Sequence, residues 1–240
     1  MRFTIVPQMK RTPTVQFELM KGREATAAIR AYPVGYLPIG CLERHGDHLP
    51  MGLDTIKAHQ VCCASAKAIG GIVFPPHYYA GIHCKTDQEL ALMTGEWGNI
   101  YTDRSAQANL VDIIRQLART GLRVLVVYSG HYPRCQVEMI QAVSREFASH
   151  PTLTVVPFAE SMILEGDHAG ISETSFMLHL DSNLVDLTQI REINFREHDW
   201  TEASSPVKAS AAKGAQDVQA VIAYLQRQIE AALQSKIGTT

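Results

Sequence analysis

The sequence lacks any long apolar run. No stretch approaches the roughly 18 consecutive apolar residues that a membrane-spanning helix requires, so we expect no membrane partner. The N-terminal residues MRFTIVPQMKRTP also contain no apolar core of about seven or more residues after their charges. We therefore do not expect a secretory signal in this segment.

The sequence also lacks a strong excess of charge of one sign. Its 22 basic and 24 acidic residues give a formal net charge of −2. A near-neutral chain gives no general electrostatic reason to bind nucleic acid or an anionic membrane. With 46% hydrophobic residues over 240 positions the chain can bury a full core, and we predict one domain over residues 1–240.

Cysteine is scarce, and its spacing indicates no pairing. The chain has five cysteines, an odd number without a C-x-x-C pair: Cys41, Cys62, Cys63, Cys84 and Cys135. We therefore expect free thiols in a reducing cytoplasm, not a disulfide framework or a four-cysteine zinc site. Cys41 is interpreted as a buried packing residue. The ten histidines, by contrast, direct attention to metal or acid–base chemistry.

Strand-like and helix-like segments alternate along the chain. Short apolar runs at 34–39, 72–74, 123–128 and 153–158 predict strands, and segments with apolar residues every three or four positions predict helices between them. Such βαβ units predict an α/β fold with a mainly parallel sheet covered by helices on both sides. Residues 192–214 are polar, rich in Ala and Ser, and predicted to be irregular.

Three polar clusters follow predicted strands, where ligands bind in parallel α/β sheets. The first is G-C-L-E-R-H-G-D-H-L-P, with Asp54 shortly after it. Glu43 and His45 are two residues apart, so in extended backbone their side chains point the same way. Asp54 follows a turn, where its carboxylate can cap the next helix or bridge two metal ions. This mixed set of donors suits Zn²⁺, Mn²⁺ or Fe²⁺.

The second and third clusters supply further candidates. His131 closely follows a central strand and can be a ligand or a hydrogen-bonded structural residue. Asp167 and His168 lie at the start of an apolar helix, which Asp167 can cap. Glu173 lies inside that helix, and a buried carboxylate is usually paired or metal-bound because burying it alone is costly. Together the clusters predict a metal hydrolase, in which metal ions lower the pKa of a bound water and a His or Glu moves the proton.

These residues also carry a resemblance to a known family. The segment G-C-L-E-R-H-G-D-H-L-P-M-G-L-D-T resembles the G-x-x-E-x-H-G-x-H-L-P-x-x-x-D-T signature of the creatininase (creatinine amidohydrolase) family. G-H-Y at 130–132 and H-A-G-I-S-E-T-S at 168–175 resemble two further motifs of that family, in the same order. The resemblance implies a three-layer α/β/α fold, a two-metal centre that is commonly zinc or manganese, and a homo-oligomer that is often a hexamer.

The resemblance implies roles for individual residues. The implied metal ligands are Glu43, His45, Asp54 and His131, with Asp54 bridging the two metals. His168 takes the acid–base role, with Asp167 as its acidic neighbour. Glu173 resembles either a ligand of the second metal or a carboxylate behind it, and it counts among the candidate catalytic residues.

The sequence departs from the family pattern at two places. Pro133 stands where creatininase proper has a metal-binding Glu after G-H-Y, so either Glu173 or another carboxylate completes the second site, or only one metal binds tightly. Creatininase proper also has a Trp shortly before the catalytic His, which packs on the creatinine ring. Residues 162–165 here are Met-Ile-Leu-Glu, which argues against creatinine as the substrate.

We therefore predict a cytoplasmic metal-dependent amidohydrolase that cleaves a non-peptide C–N bond in a cyclic or linear amide of a small molecule. A cyclic amide is the first expectation, and the attack is expected from metal-activated water with His168 as proton shuttle. One or two Zn²⁺ or Mn²⁺ ions per chain are expected, with Fe²⁺ as a further candidate. Two alternatives stay open. One is hydrolytic C–C opening of a cyclic keto-polyol at the same metals, and the other is a non-catalytic member that binds metal and ligand.

Overall fold

The computed structural model describes residues 14–86, 88–90, 99–192 and 198–235. Residues 1–13, where we expect no secretory signal, lie outside these ranges. Residues 193–197, part of the segment predicted to be irregular, also lie outside them. None of the helices in the described ranges is both long and apolar enough to cross a membrane.

Parallel strands form the sheet in the described part of the chain. They lie in the order β2-β1-β3-β4, and each adjacent pair is parallel. In this register Gly35 lies between Ile72 and Leu125. Every residue of β1 and β3 is buried, which explains why both segments are continuous apolar runs in the sequence. The strands are β1 (Val34–Ile39), β2 (Ile72–Val73), β3 (Val124–Ser129) and β4 (Thr154–Ala159).

Helices cover both faces of this sheet. On one face, Ile29, Ile114 and Ile140 pack against Leu125 in one buried core. The helices of the described ranges are α1 (Gly22–Ala31), α2 (Leu53–Ile69), α3 (Ala106–Ala118), α4 (Arg134–Glu146), α5 (Ile171–Leu180) and α6 (Ala211–Ser235). The three isoleucines come from α1, α3 and α4.

The opposite face has a core of its own. Val61 of α2, Phe176 of α5 and Val221 of α6 pack there with Val126 of β3. Each central strand thus sends alternate side chains into the two cores. The result is the three-layer α/β/α fold with a parallel central sheet, so the predicted fold class is confirmed.

The segment predicted to be irregular ends earlier than expected. Helix α6 begins at Ala211, and Pro206–Lys208 forms a short 3₁₀ helix before it. Gly214, the last residue of the predicted irregular segment, is therefore helical. A Cβ at Gly214 would overlap the backbone carbonyl of Ser175, so the glycine allows α6 to approach α5 closely.

The expectation of free thiols is wrong for two of the five cysteines. Cys84, in the loop after β2, forms a disulfide with Cys135, in the first turn of α4. The same loop contacts α4 nearby, where the Ile82 N–H donates to Gln136 Oε1 (2.9 Å). The two cysteines are 51 residues apart, and only the fold brings them together. The remaining cysteines, Cys41, Cys62 and Cys63, are free thiols.

Candidate metal centre

Two of the predicted segments meet at the carboxyl edge of the sheet because a glycine permits it. Gly130 follows β3, and a Cβ at this position would overlap the backbone carbonyl of Asp54 at the start of α2. The chain after β3 can therefore run directly against α2. This contact brings His131 within reach of the Asp54 carboxylate.

Asp54 lies at the middle of the candidate metal centre, which comprises Glu43, His45, Asp54, His131 and Glu173. Its side chain is buried, with Oδ1 3.2 Å from His45 Nε2 and Oδ2 3.2 Å from His131 Nδ1. The N-cap of α2 is Gly52, and no side chain caps this helix end. Asp54 therefore faces two histidines and does not cap the helix. These histidines pair with it strongly enough to hold the pKa of its carboxyl well below the usual range, although burial acts in the opposite direction.

Both histidines are oriented by backbone carbonyls. His45 Nδ1 lies 2.9 Å from the carbonyl oxygen of Glu43, and His131 Nε2 lies 2.9 Å from that of Ile82. Since a carbonyl oxygen only accepts, each of these nitrogens carries the proton that it donates. The other nitrogen of each ring faces the carboxylates. A metal-binding histidine typically has this arrangement, with its outer N–H hydrogen-bonded and its inner nitrogen directed at the ion.

Glu43 closes the His131 side of the centre. Its Oε2 lies 3.0 Å from His131 Nδ1, and its Oε1 accepts a hydrogen bond of 2.7 Å from the Tyr101 hydroxyl. Burial alone would raise the pKa of the Glu43 carboxyl, but the charge of His131 and then that of His168 lower it to about 2. Glu43 is therefore a carboxylate, and both of its oxygens are already engaged.

Glu173 closes the His45 side. Its Oε2 lies 3.5 Å from His45 Nε2 and accepts from the Ala169 N–H (2.8 Å), while its Oε1 accepts from Lys57 Nζ (2.7 Å). Lys57 is fully buried on α2 and also lies 3.4 Å from Glu160 Oε2. This cation compensates the buried negative charge behind Glu173, and it leaves Oε2 as the oxygen nearest His45.

The donor chemistry of the centre fits a divalent cation. Three mutually close sets of donor atoms occur among the described residues, each with its atoms within 4.8 Å of one another. The sets are Cys41, Glu43, Asp54 and His131; His45, Asp54 and Glu173; and Glu43, His45 and His168. Asp54 belongs to the first and the second set, and Pro133 belongs to none of the three.

The neighbouring carboxylates raise the pKa values of His45 and His131 above the ordinary value of a histidine. Burial lowers the pKa of His45, but the charges of Asp54 and Glu173 raise it to about 9. Burial acts on His131 in the same direction, and contacts with Cys41, Glu43 and Asp54 raise its pKa well above the ordinary value. The buried carboxylates thus favour positive charge at both imidazoles. A metal ion would supply the same positive charge to neutral imidazoles.

His168 lies beside this centre and is half-buried. Its ring is 4.5 Å from the His45 ring, and its Nε2 lies 2.9 Å from the carbonyl oxygen of Arg44. Nε2 therefore carries a proton, which leaves Nδ1 as the acceptor of the neutral ring. The indole Nε1–H of Trp200 donates to the His168 carbonyl (2.8 Å), so Trp200 supports the turn that carries His168.

Asp167 caps the start of α5. Its carboxylate accepts from the backbone N–H groups of Gly170 (3.2 Å), Ser172 (2.6 Å) and Glu173 (3.2 Å). This is the helix-capping alternative that the sequence leaves open. Burial and then the charge of Glu173 raise the pKa of Asp167. Its predicted place as the acidic neighbour of His168 stays a prediction.

A cavity of about 260 Å³ opens on the centre. The candidate residues Glu43, Asp54, His131, Asp167, His168 and Glu173 all line it. Its remaining wall includes Tyr101 and Tyr132, together with His83 and Cys84 from the loop held by the disulfide. His45 lies behind this lining, in contact with Asp54 and Glu173.

Sequence reasoning misses three residues of this centre. Lys57 lies on a helix, where a lysine is ordinarily solvated. Tyr101 lies 58 positions from its partner Glu43 in a segment without a recognisable motif. Trp200 belongs to the polar segment predicted to be irregular, yet it is buried. One signal is available for Lys57, because it follows Asp54 by three residues and so shares its helix face.

One family of known proteins is similar to this chain. The profile of the Creatininase family, described as creatinine amidohydrolase, matches residues 18–229. Creatinine amidohydrolase from Pseudomonas putida is 32% identical over 176 residues, which are 64% of this chain and 66% of that protein. The aligned part thus spans just under two thirds of that relative.

Solved creatininase structures share the fold. A mutant creatininase of the Zn-Zn type is 28% identical, with a TM-score of 0.68 over 91% of this chain and 98% of that one. A manganese form is 27% identical, with a TM-score of 0.68 over 90% of this chain and 98% of that one. These zinc and manganese forms agree with the predicted divalent-metal cofactor, as do the buried donor sets. Motifs, fold and family profile lead to one conclusion: this chain belongs to the creatininase family.

Proposed function

We propose that this chain is a metal-dependent amidohydrolase that cleaves a C–N bond in a small cyclic or linear amide. One observation carries the proposal. Two buried donor sets share the Asp54 carboxylate, and that carboxylate lines a small cavity at the carboxyl edge of the sheet. Family membership supports amide hydrolysis as the reaction class.

Two metal sites are proposed, each named by the donors that would hold it. Glu43, Asp54 and His131 would hold the first metal, and His45, Asp54 and Glu173 the second. The second assignment is supported by the distance of 3.5 Å between Glu173 Oε2 and His45 Nε2. In this proposal Glu173 would supply the carboxylate that Pro133 cannot.

The metals, when bound, supply Lewis-acid polarisation of a carbonyl and lower the pKa of water. His168 is proposed to move the proton from the attacking water to the leaving nitrogen. Its Nε2–H donates to the Arg44 carbonyl, so the ring is fixed in the tautomer whose Nδ1 can accept a proton. Asp167 is proposed to act as a positioning residue, since it binds the first backbone N–H groups of α5 and so fixes the turn before them.

The cavity favours a small substrate. Its volume of about 260 Å³ is close to the lower end of ligand pockets, roughly 300 Å³. Tyr101 and His83 place polar groups on its wall, and their rings lie 4.5 Å apart. The Tyr101 hydroxyl donates to Glu43 and His83 Nε2 lies 3.2 Å from Asp103 Oδ2, so both rings are held in place as walls that limit the size of the substrate.

The test combines metal content with a substrate panel. We expect about two Zn²⁺ or Mn²⁺ per chain by elemental mass spectrometry and turnover of at least one small amide. Asp54→Asn should lose both, since Asp54 belongs to both donor sets. Turnover of cyclic keto-polyols without turnover of amides would replace the proposal by C–C hydrolysis. A chain that binds no metal even with added Zn²⁺ or Mn²⁺ would contradict the proposal.

A further inference from the structure

The thiol of Cys41 lies inside the first donor set. Its Sγ is 3.2 Å from Asp54 Oδ2 and 3.7 Å from Glu43 Oε2, and the residue is 0% exposed. Gly81 makes room for it, because a Cβ on Gly81 would overlap the Cys41 side chain. The sulfur is therefore held against both carboxylates by the fold and has no exposure to solvent.

Four of the six donor-to-donor distances in this set are close to the edges of a tetrahedral zinc site. With zinc–sulfur bonds of about 2.3 Å and zinc–nitrogen or zinc–oxygen bonds of about 2.0 Å, a tetrahedron has edges of roughly 3.5 Å to sulfur and roughly 3.3 Å elsewhere. The observed edges to sulfur are 3.2 and 3.7 Å. Those from His131 Nδ1 to Glu43 Oε2 and Asp54 Oδ2 are 3.0 and 3.2 Å.

We propose that Cys41 is a fourth protein ligand of the first metal and makes that site selective for Zn²⁺. This inference rests on the proposed function, since it concerns the same metal centre. On binding, the metal takes the place of the thiol proton, so that the S–H bond is replaced by a sulfur–metal bond and the proton passes to solvent. Thiolate is a soft ligand that favours Zn²⁺ over Mn²⁺.

The proposal gives the two metal sites different numbers of protein ligands. Four protein ligands make the first site closed, which is typical of structural zinc. The second set has three protein donors, His45, Asp54 and Glu173, and three donors leave a position free, as in catalytic zinc sites. If Cys41 is a ligand, the second metal would be the one with a position left free for a substrate atom.

The experiment replaces the bound metal with Co²⁺, whose bond to a thiolate gives a charge-transfer absorption in the near ultraviolet. Wild-type protein with two Co²⁺ should show this absorption, and Cys41→Ser should lose it. Cys62→Ser is the matched control, because Cys62 is equally buried but lies in the core between α2 and the sheet. The affinity ratio of Zn²⁺ to Mn²⁺ should also fall by at least about tenfold in Cys41→Ser and stay unchanged in Cys62→Ser.

The outcomes separate this inference from the proposed function. Two bound Co²⁺ without the absorption in wild type, or with the absorption retained in Cys41→Ser, would overturn the role of Cys41 and leave the metal centre standing. Wild type that binds no metal would overturn both. If Cys41→Ser does not fold, zinc K-edge absorption spectroscopy of wild type decides the matter. Sulfur among the neighbours of zinc supports the proposal, and only nitrogen and oxygen neighbours refute it.

Discussion

At the residue scale, His131 is fixed on two sides. The Ile82 carbonyl accepts from its Nε2–H, and the carboxylates of Glu43 and Asp54 lie at its Nδ1. The ring therefore cannot turn without losing a hydrogen bond to the backbone. Such a ring is already oriented before any ligand arrives, so little conformational entropy is lost on binding.

Replacing His131 by alanine should remove metal and activity together. The first donor set would lose its only nitrogen, and we expect the loss of metal affinity to exceed the roughly 10- to 100-fold change that follows from altering a partner of a ligand. Elemental mass spectrometry and amide turnover measure the two effects. His179→Ala, at an exposed position on α5, is the control. A His131→Ala protein with full metal content and activity would refute the assignment.

His168→Ala should behave differently. Its Nε2 is engaged with the Arg44 carbonyl, so we expect the variant to keep its metal and to lose turnover by about 10²–10⁴, as for a residue that moves a proton. Parallel metal analysis and steady-state kinetics give the answer. Loss of metal would instead make His168 a ligand, which its membership of a donor set with Glu43 and His45 allows.

The sequence predicts these residues unequally. Glu43, His45 and Asp54 are predictable because their types and spacing follow a strand and match a long motif. Lys57 and Tyr101 are not, because their roles depend on partners distant in the chain: Glu173 is 116 positions from Lys57. The disulfide is unpredictable for the same reason, since local spacing carries no information on a contact across 51 residues.

At the element scale, one face of α2 carries two residues of opposite charge, Asp54 and Lys57, which both point into the candidate metal centre. Asp54 and Lys57 are three residues apart, about one helical turn, so both point away from solvent in the same direction. Lys57 then connects α2 to Glu173 on α5 and to Glu160, the residue after β4. Its ammonium also lies 4.8 Å from the centre of the Tyr132 ring, which favours a cation there.

Lys57→Met should therefore destabilise the metal-free protein by about 3–5 kcal/mol, because it leaves buried carboxylates without their cation. Denaturant unfolding of the chelator-treated protein measures this. Lys67→Met, at an exposed position on the last turn of the same helix, is the control. The double variant Lys57→Met with Glu160→Gln should regain part of the loss. An unfolding free energy within about 0.5 kcal/mol of wild type would contradict a buried ion pair here.

The boundaries of helices and strands can be predicted from the sequence where the apolar pattern is strong. They cannot be predicted where it is weak. The apolar pattern does not predict helix α1, because only Ala25 and Ile29 of its ten residues are buried. Its start is marked by a local bond instead, from the Lys21 N–H to Glu24 Oε2 (2.8 Å). Helix α6 has a long apolar stripe, but its first turn, A-A-K-G, carries no large apolar residue. The apolar pattern therefore predicts a start that is too late.

At the scale of the whole molecule, the order of strands and helices is enough to predict both the three layers and the edge that carries the site. Parallel strands buried on both faces leave their carboxyl ends as the place where polar residues can converge. Three further expectations stay predictions: the cytoplasmic location, the single domain over residues 1–240, and the homo-oligomer or hexamer. The fold of one chain does not test them.

Metal removal should be visible as a change in the stability of the whole molecule. A metal ion held at about 1,000 times its dissociation constant stabilises the native state by about 4 kcal/mol, or roughly 8–16 °C in Tm for a chain of this size. We therefore expect a chelator to lower Tm by such an amount and added Zn²⁺ to restore it. In Asp54→Asn the chelator should have little effect. An unchanged Tm in chelated wild type would show that metal does not bind the native state preferentially.

The sharing of Asp54 has a thermodynamic consequence. Its Oδ1 faces His45 and its Oδ2 faces His131, so one carboxylate contributes a different oxygen to each donor set. In the proposed two-metal centre, an ion at one oxygen would withdraw negative charge from the other, and the two occupancies would therefore be linked by a coupling free energy. Such coupling is reciprocal: whatever the first ion does to the affinity for the second, the second does to the affinity for the first. A metal titration of this protein should accordingly give stepwise constants that belong to the pair, not one constant for each site.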